Sequence, residues 1–130
     1  MASVPGTAPA AVAVRFNGSI NRRDLDGLAK LMSDDHRFID SEANTVSGKQ
    51  TCLDAWRGFF DSFPDYRNVF TSLTATDDVV TIVGYSECAE PSLAGPAIWT
   101  AAIQGETVTE WRVYADSPET RARLGIPAIT

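Results

Sequence analysis

The feature that most constrains this chain is a change of hydrophobic period at Asp65. Before that point apolar residues recur every three or four positions, and after it they alternate. In "PAAVAVRFNGSINRRD" the residues Val12, Phe16 and Ile20 fall four apart, which predicts a first helix ending near Asn21. "DLDGLAKLMSDD" carries Leu25, Leu28 and Leu31 with Met32, behind Asp24 as N-cap, and predicts a second, shorter helix. "HRFID" alternates and runs into the polar "SEANTVSGK", a strand with a hairpin return. "GKQTCLDAWRGFFDSF" then sets Cys52, Leu53, Trp56, Phe59, Phe60 and Phe63 on one wide stripe, a third helix stopped by Pro64.

From Asp65 the stretches "YRNVFTSLTAT", "DVVTIVGYSEC", "PAIWTAAIQ" and "TVTEWRVYA" read as strands. The turns between them fall at Asp77-Asp78, Pro91 to Pro96 and Gln104-Gly105-Glu106. "DSPETRARLG" has Asp116 or Ser117 as N-cap, Pro118 in its first turn and Gly125 at its stop, so a short helix ends the pattern. Helices first and strands after predict an α+β fold: a cone-shaped, curved antiparallel sheet wrapped around three N-terminal helices, with a short C-terminal helix. The mouth of such a cone is a pocket.

A chain of 130 residues suits a single domain over 1–130, with residues 1–10 as a loose lead. Its net charge of -6, with 11 scattered Lys and Arg, argues against a nucleic-acid partner. No apolar run approaches the roughly 18 residues of a membrane span, and "MASVPGTAPAAVAV" lacks the pattern of a secretion signal. A cytoplasmic protein is expected. Cys52 and Cys88 lack C-x-x-C spacing and read as small buried side chains. No metal cluster or phosphate loop is visible, so neither metal nor cofactor is expected.

Three segments carry a family resemblance that extends from about Val12 to Pro127. "NRRDLDGLAKLMSDDHRFID" is similar to the second helix and first strand of ketosteroid isomerases. "SGKQTCLDAWRGFFDSFPDYR" holds the Phe-Pro-Asp turn common in SnoaL-like polyketide cyclases. "GETVTEWRVYADSPETRARLGIP" resembles the closing strand and helix of SnoaL-like proteins and limonene epoxide hydrolases. Together they resemble the nuclear transport factor 2-like superfamily, in its SnoaL-like and ketosteroid-isomerase-like branches. That fold hosts enzymes, binding proteins and transport factors alike.

The resemblance to the isomerases places their general base at Asp40, and their two acidic donors at Phe16 and Trp99, of which only the Trp99 indole N–H can donate. The catalytic triad of the epoxide hydrolases falls on Ser86, Gly84 and Val113 and is therefore missing. The acid/base aspartate of the cyclases falls near Asp116. What the resemblance implies is a SnoaL-like small-molecule enzyme, with an aspartate acid/base driving cofactor-free isomerisation, cyclisation or hydration. Its substrate would be polyketide-, terpenoid- or steroid-like. The alternative is a non-catalytic protein of the same fold, binding a small hydrophobic ligand or dimerising as an accessory module.

Each candidate has two readings. Asp40 is either an acid/base in an apolar cone or the cap of its own hairpin. Asp116 is catalytic or a helix cap. His36, the only histidine, relays a proton or sits half-exposed at a strand start. Phe16, Phe38, Trp56, Phe60, Asn68, Ser86, Trp99 and Val113 are the expected substrate-binding residues. Tyr85, Glu87, Arg112 and Tyr114 take the opposite parity and form an outer sheet face, the expected homodimer surface.

Overall fold

The computed structural model describes residues 9–127; the loose lead expected over 1–10 lies almost wholly outside the described residues. Helices α1 (Pro9–Asn21) and α2 (Leu25–Leu31) precede strand β1 (Met32–Ile39), the short β2 (Thr45–Ser47) and helix α3 (Lys49–Ser62). Strands β3 (Arg67–Thr76), β4 (Val79–Glu87), β5 (Gly95–Gln104) and β6 (Thr107–Ala115) follow, and helix α4 (Pro118–Leu124) comes last. The strands form one curled, unclosed sheet in the order β2-β1-β6-β5-β4-β3. The architecture is α+β, as the change of period implies.

Local chemistry sets the element ends. Asp24 accepts from Gly27 N at 2.9 Å and caps α2, with Asp26 and Lys30 placed to complement its dipole. Ser117, not Asp116, caps α4, and Gly125 ends that helix in the left-handed region at φ 72°. One difference from expectation concerns β1, which begins at Met32 immediately after α2 and pairs parallel to β6, so the sheet is mixed. A second is a short 3-10 turn at Pro91–Leu93 inside the proline-rich connection.

The helices fill the concave face of the sheet. Val12, Ala13, Phe16 and Ile20 of α1 join Cys52, Leu53, Trp56 and Phe60 of α3, and both sets meet Ile82, Trp99, Ala101, Val108 and Trp111 of the sheet in one buried cluster. The stripes read from the sequence are the faces that make this core. Curvature on the β3 side has a visible cause. Pairing skips a residue between Phe70 and Ser72, opposite Gly84 and Val83. A Cβ on Gly84 would lie 2.0 Å from Val69 O, so only glycine admits this close approach.

Candidate functional site

Between α3 and the open end of the sheet lies a cavity of about 330 Å³. That is at the small end of the range for ligand pockets. Cys52, Ala55, Trp56 and Phe59 line it from α3, and Phe38, Asp40, Ser41 and Val46 from the first hairpin. Trp99, Trp111 and Val113 form the sheet wall, with Tyr66 and Asn68 at the start of β3 and Leu93 from the 3-10 turn. The aromatic walls are locked edge to face: Trp56 meets Phe38 at 5.5 Å and Phe59 at 5.7 Å, and Phe59 meets Tyr66 at 4.8 Å. Such contacts fix ring orientation as well as burying area.

The cavity gathers six of the residues expected to bind or act on substrate: Phe38, Asp40, Trp56, Asn68, Trp99 and Val113. Ser86 stands just behind the lining, its hydroxyl 2.8 Å from Asn68 Oδ1 and 3.2 Å from the Tyr66 hydroxyl. Phe16 and Phe60 are core residues one layer back, Phe16 against Trp111 at 4.7 Å and Phe60 against Trp56 at 5.5 Å.

Asp40 follows the last residue of β1, where the chain turns. Its Oδ1 accepts from the backbone N–H of Glu42 and of Asn44, each at 2.9 Å, and Oδ2 accepts from Asn44 Nδ2 at 3.1 Å. Partial burial pushes its pKa up, but the hydrogen bonds from Asn44 and Glu42 outweigh this and the net shift is downward. The carboxylate is therefore ionised at neutral pH. It has about four lone-pair positions, of which three are used, and the spare one is on Oδ2.

His36 and Asp116 are not among the residues lining the cavity. The imidazole is 0% exposed rather than half-exposed, packed against Phe16 at 5.6 Å. Its Nδ1 lies 2.6 Å from Val108 O, an acceptor only, so Nδ1 carries the proton and Nε2 keeps a bare lone pair with no partner among the described residues. Burial lowers its pKa, against weaker upward pulls from the Val108 carbonyl, Asp35 and Glu110. Asp116 is gripped by Arg121 through Nε to Oδ1 at 2.7 Å and Nη2 to Oδ2 at 2.8 Å. That hydrogen bonding holds its pKa below the usual carboxylate range despite partial burial. Arg121 Nη1 also reaches Pro127 O at 2.8 Å, fastening the segment after α4.

Sequence reasoning missed Tyr66 and Leu93. Tyr66 shares the parity of Asn68 and Phe70, a signal that was present; Leu93 sits in a connection whose path no periodicity reports. Burial raises the Tyr66 pKa, with the Ser86 and Asn68 side chains opposing it, so the phenol stays protonated at neutral pH. The Trp99 indole N–H is closed from solvent and has no acceptor among the described residues. Of the two thiols Cys52 is buried and Cys88 is half-buried. Among the described residues no three His, Cys, Asp or Glu side chains converge as a metal site requires, and no helix is long and apolar enough to cross a membrane.

Several solved structures share this architecture. A candidate SnoaL-like polyketide cyclase from Shewanella denitrificans OS-217 is 14% identical, with 90% of this chain and 96% of that chain covered at a TM-score of 0.75. A limonene-epoxide-hydrolase-like epoxide hydrolase of M. tuberculosis is 16% identical over 86% of each chain, TM-score 0.74. A protein of ketosteroid-isomerase-like fold from Catenulispora acidiphila DSM 44928, solved in complex with trimethylamine, is 20% identical over 89% of this chain and 93% of that one, TM-score 0.66. At such identities the likeness is one of fold. No curated protein sequence matches. The family evidence comes from the sequence itself, since the SnoaL-like domain matches residues 13–129, from the middle of α1 to beyond α4. With that match spanning nearly every described element, the chain belongs to the SnoaL-like domain family.

Proposed function

We propose that this protein is a cofactor-independent acid/base enzyme acting on a small apolar ring compound, with Asp40 as its base. One observation carries the reading: an ionised carboxylate with a spare lone pair lines the same aromatic cavity as the hydrogen-bonding groups of Tyr66 and Asn68. A base in its charged form takes a proton from carbon next to a carbonyl, and the negative charge that develops on oxygen needs a hydrogen-bond donor elsewhere in the pocket, a part that the Asn68 amide N–H fits. Isomerisation and aldol-type cyclisation of polyketide-, terpenoid- or steroid-like molecules use this step, and in hydration the same base takes its proton from the attacking water. The SnoaL-like family assignment and the cyclase and epoxide hydrolase neighbours support the same class.

The non-catalytic alternative, a pocket that binds without turning over, is favoured by a different observation. Three hydrogen bonds already tie Asp40 to its own hairpin. The proposed dimer surface is the outer sheet face, where Tyr85 and Val79 are exposed and Arg112 covers the Tyr114 ring at 4.8 Å.

The experiment is exchange of the α-protons of 2-tetralone into D₂O, followed by NMR. The protein should accelerate exchange at pH 7, and Asp40→Asn should reduce that acceleration by about a hundredfold or more, the usual contribution of a positioned base. Exchange that is accelerated equally by the variant removes Asp40 from the chemistry and leaves the binding reading.

A further inference from the structure

The hydrogen positions around Ser86 limit what the polar end of the cavity can recognise. Ser86 owns a single proton, and at 2.8 Å from Asn68 Oδ1, which only accepts, that proton is donated to the amide oxygen. The contact of 3.2 Å between the Ser86 and Tyr66 hydroxyls must then be a donation from Tyr66 to Ser86. The Tyr66 oxygen therefore turns its proton toward Ser86 and keeps a lone pair, beside the one that faces the Asn68 amide, for a ligand. Asn68 is oriented the other way. Its Oδ1 is occupied by Ser86, while its Nδ2 turns one N–H toward the Tyr66 oxygen and has the second left for a ligand.

Asn68 is held in place from outside the pocket. Its backbone N–H donates to Asn21 Oδ1 at 2.9 Å, and its carbonyl accepts from Asn21 Nδ2 at 2.9 Å. The backbone is thus tied to α1 while Ser86 holds the side chain, and the residue is 2% exposed. No Lys or Arg lines the cavity, and the Asp40 carboxylate at the hairpin disfavours an anionic guest.

We infer that Tyr66 and Asn68 are specificity residues that select a neutral ring compound bearing a hydrogen-bond acceptor and donor side by side, as a hydroxy ketone, an enolised diketone or a carboxamide does. The acceptor takes a proton from Asn68 Nδ2, and the donor gives one to the Tyr66 oxygen. This rests on the reading of the cavity as a ligand pocket, and a set of three probes separates the two claims.

Isothermal titration with 2-naphthamide, 2-acetonaphthone and naphthalene compares a paired donor and acceptor, an acceptor alone, and neither. The wild type should rank them in that order, about fivefold apart for each hydrogen bond gained. Tyr66→Phe should bring 2-naphthamide down about fivefold, to the level of 2-acetonaphthone. Ser86→Ala frees the Tyr66 proton to point into the cavity, so 2-acetonaphthone should gain about fivefold, which a merely structural serine does not produce. Naphthalene should bind all three proteins alike and serves as the check on the fold. If naphthalene binds but the other two probes are not distinguished, or if the preference survives in Tyr66→Phe, the inference is overturned while the pocket stands. Binding of none of the three by the wild type overturns both.

Discussion

His36 on β1 and Asn68 on β3 are both buried polar residues of the inner sheet face, and they have opposite fates. Asn68 is anchored at its backbone by Asn21 and at its side chain by Ser86, and its amide edge meets the cavity. His36 spends its one proton on Val108, and its other nitrogen is buried without a partner among the described residues. The lesson is that inward parity alone does not make a functional residue. What separates the two is the layer in front of them, since Phe16, itself packed on Trp111, covers the His36 ring, whereas Asn68 lines the cavity.

That contrast can be broken most forcefully on the β3 side. Gly84→Ala would drive a methyl group against Val69 O, so the bulge must unbend or β3 must shift. A loss of about 3 kcal/mol is expected in urea unfolding, with the cavity's polar end lost alongside. A cost below about 1 kcal/mol would mean that the bend does not depend on the missing Cβ. Asn68→Ala sharpens the contrast rather than breaking it. The backbone tie to Asn21 survives, but the Ser86 hydroxyl loses its acceptor, and about 1–3 kcal/mol should be lost by the same measurement.

The smallest effect belongs to His36 and is a pH dependence. Its folded-state pKa lies below the unfolded value of 6.5, so the unfolded chain binds the proton more readily. The stability contribution is complete above pH 6.5 and is lost as pH falls from there toward the folded pKa. The slope cannot exceed about 1.4 kcal/mol per pH unit for one proton. Asp40 and Asp116 are also shifted downward, but from 3.8, so their losses begin at more acid pH. Urea midpoints measured from pH 8 to pH 5 should fall for the wild type and stay flatter for His36→Phe. Parallel curves would mean that the imidazole is not the responsible group.

Much of this could be read before any coordinates. The stripes of α1 and α3 and the alternation of β3 to β6 are direct consequences of which faces are buried, and Asp40 stands out through the alternation of its strand together with the resemblance to ketosteroid isomerases. The parallel pairing of β1 with β6 was not legible, because alternation says that a strand exists and not which strand it joins. Asp116 carried an ambiguity of another kind: "DSPETR" holds both a cap and an ion pair, and only geometry reveals that Ser117 caps while Arg121 takes the carboxylate. Leu93 reaches the cavity only through the path of its 3-10 turn.

The pairing of β1 with β6 has a consequence in time. Phe38 stands beside Trp111 and His36 bonds to Val108, so the two halves of one wall lie some 72 residues apart along the chain. During synthesis the aromatic stripe of α3 emerges long before Trp99 and Trp111 exist to cover it. Contacts of such long sequence separation are slow to form, because the intervening chain must be closed into a loop first. This places assembly of the cavity among the last events of folding, and makes the nascent N-terminal half, with its apolar helices uncovered, the stage most prone to aggregation.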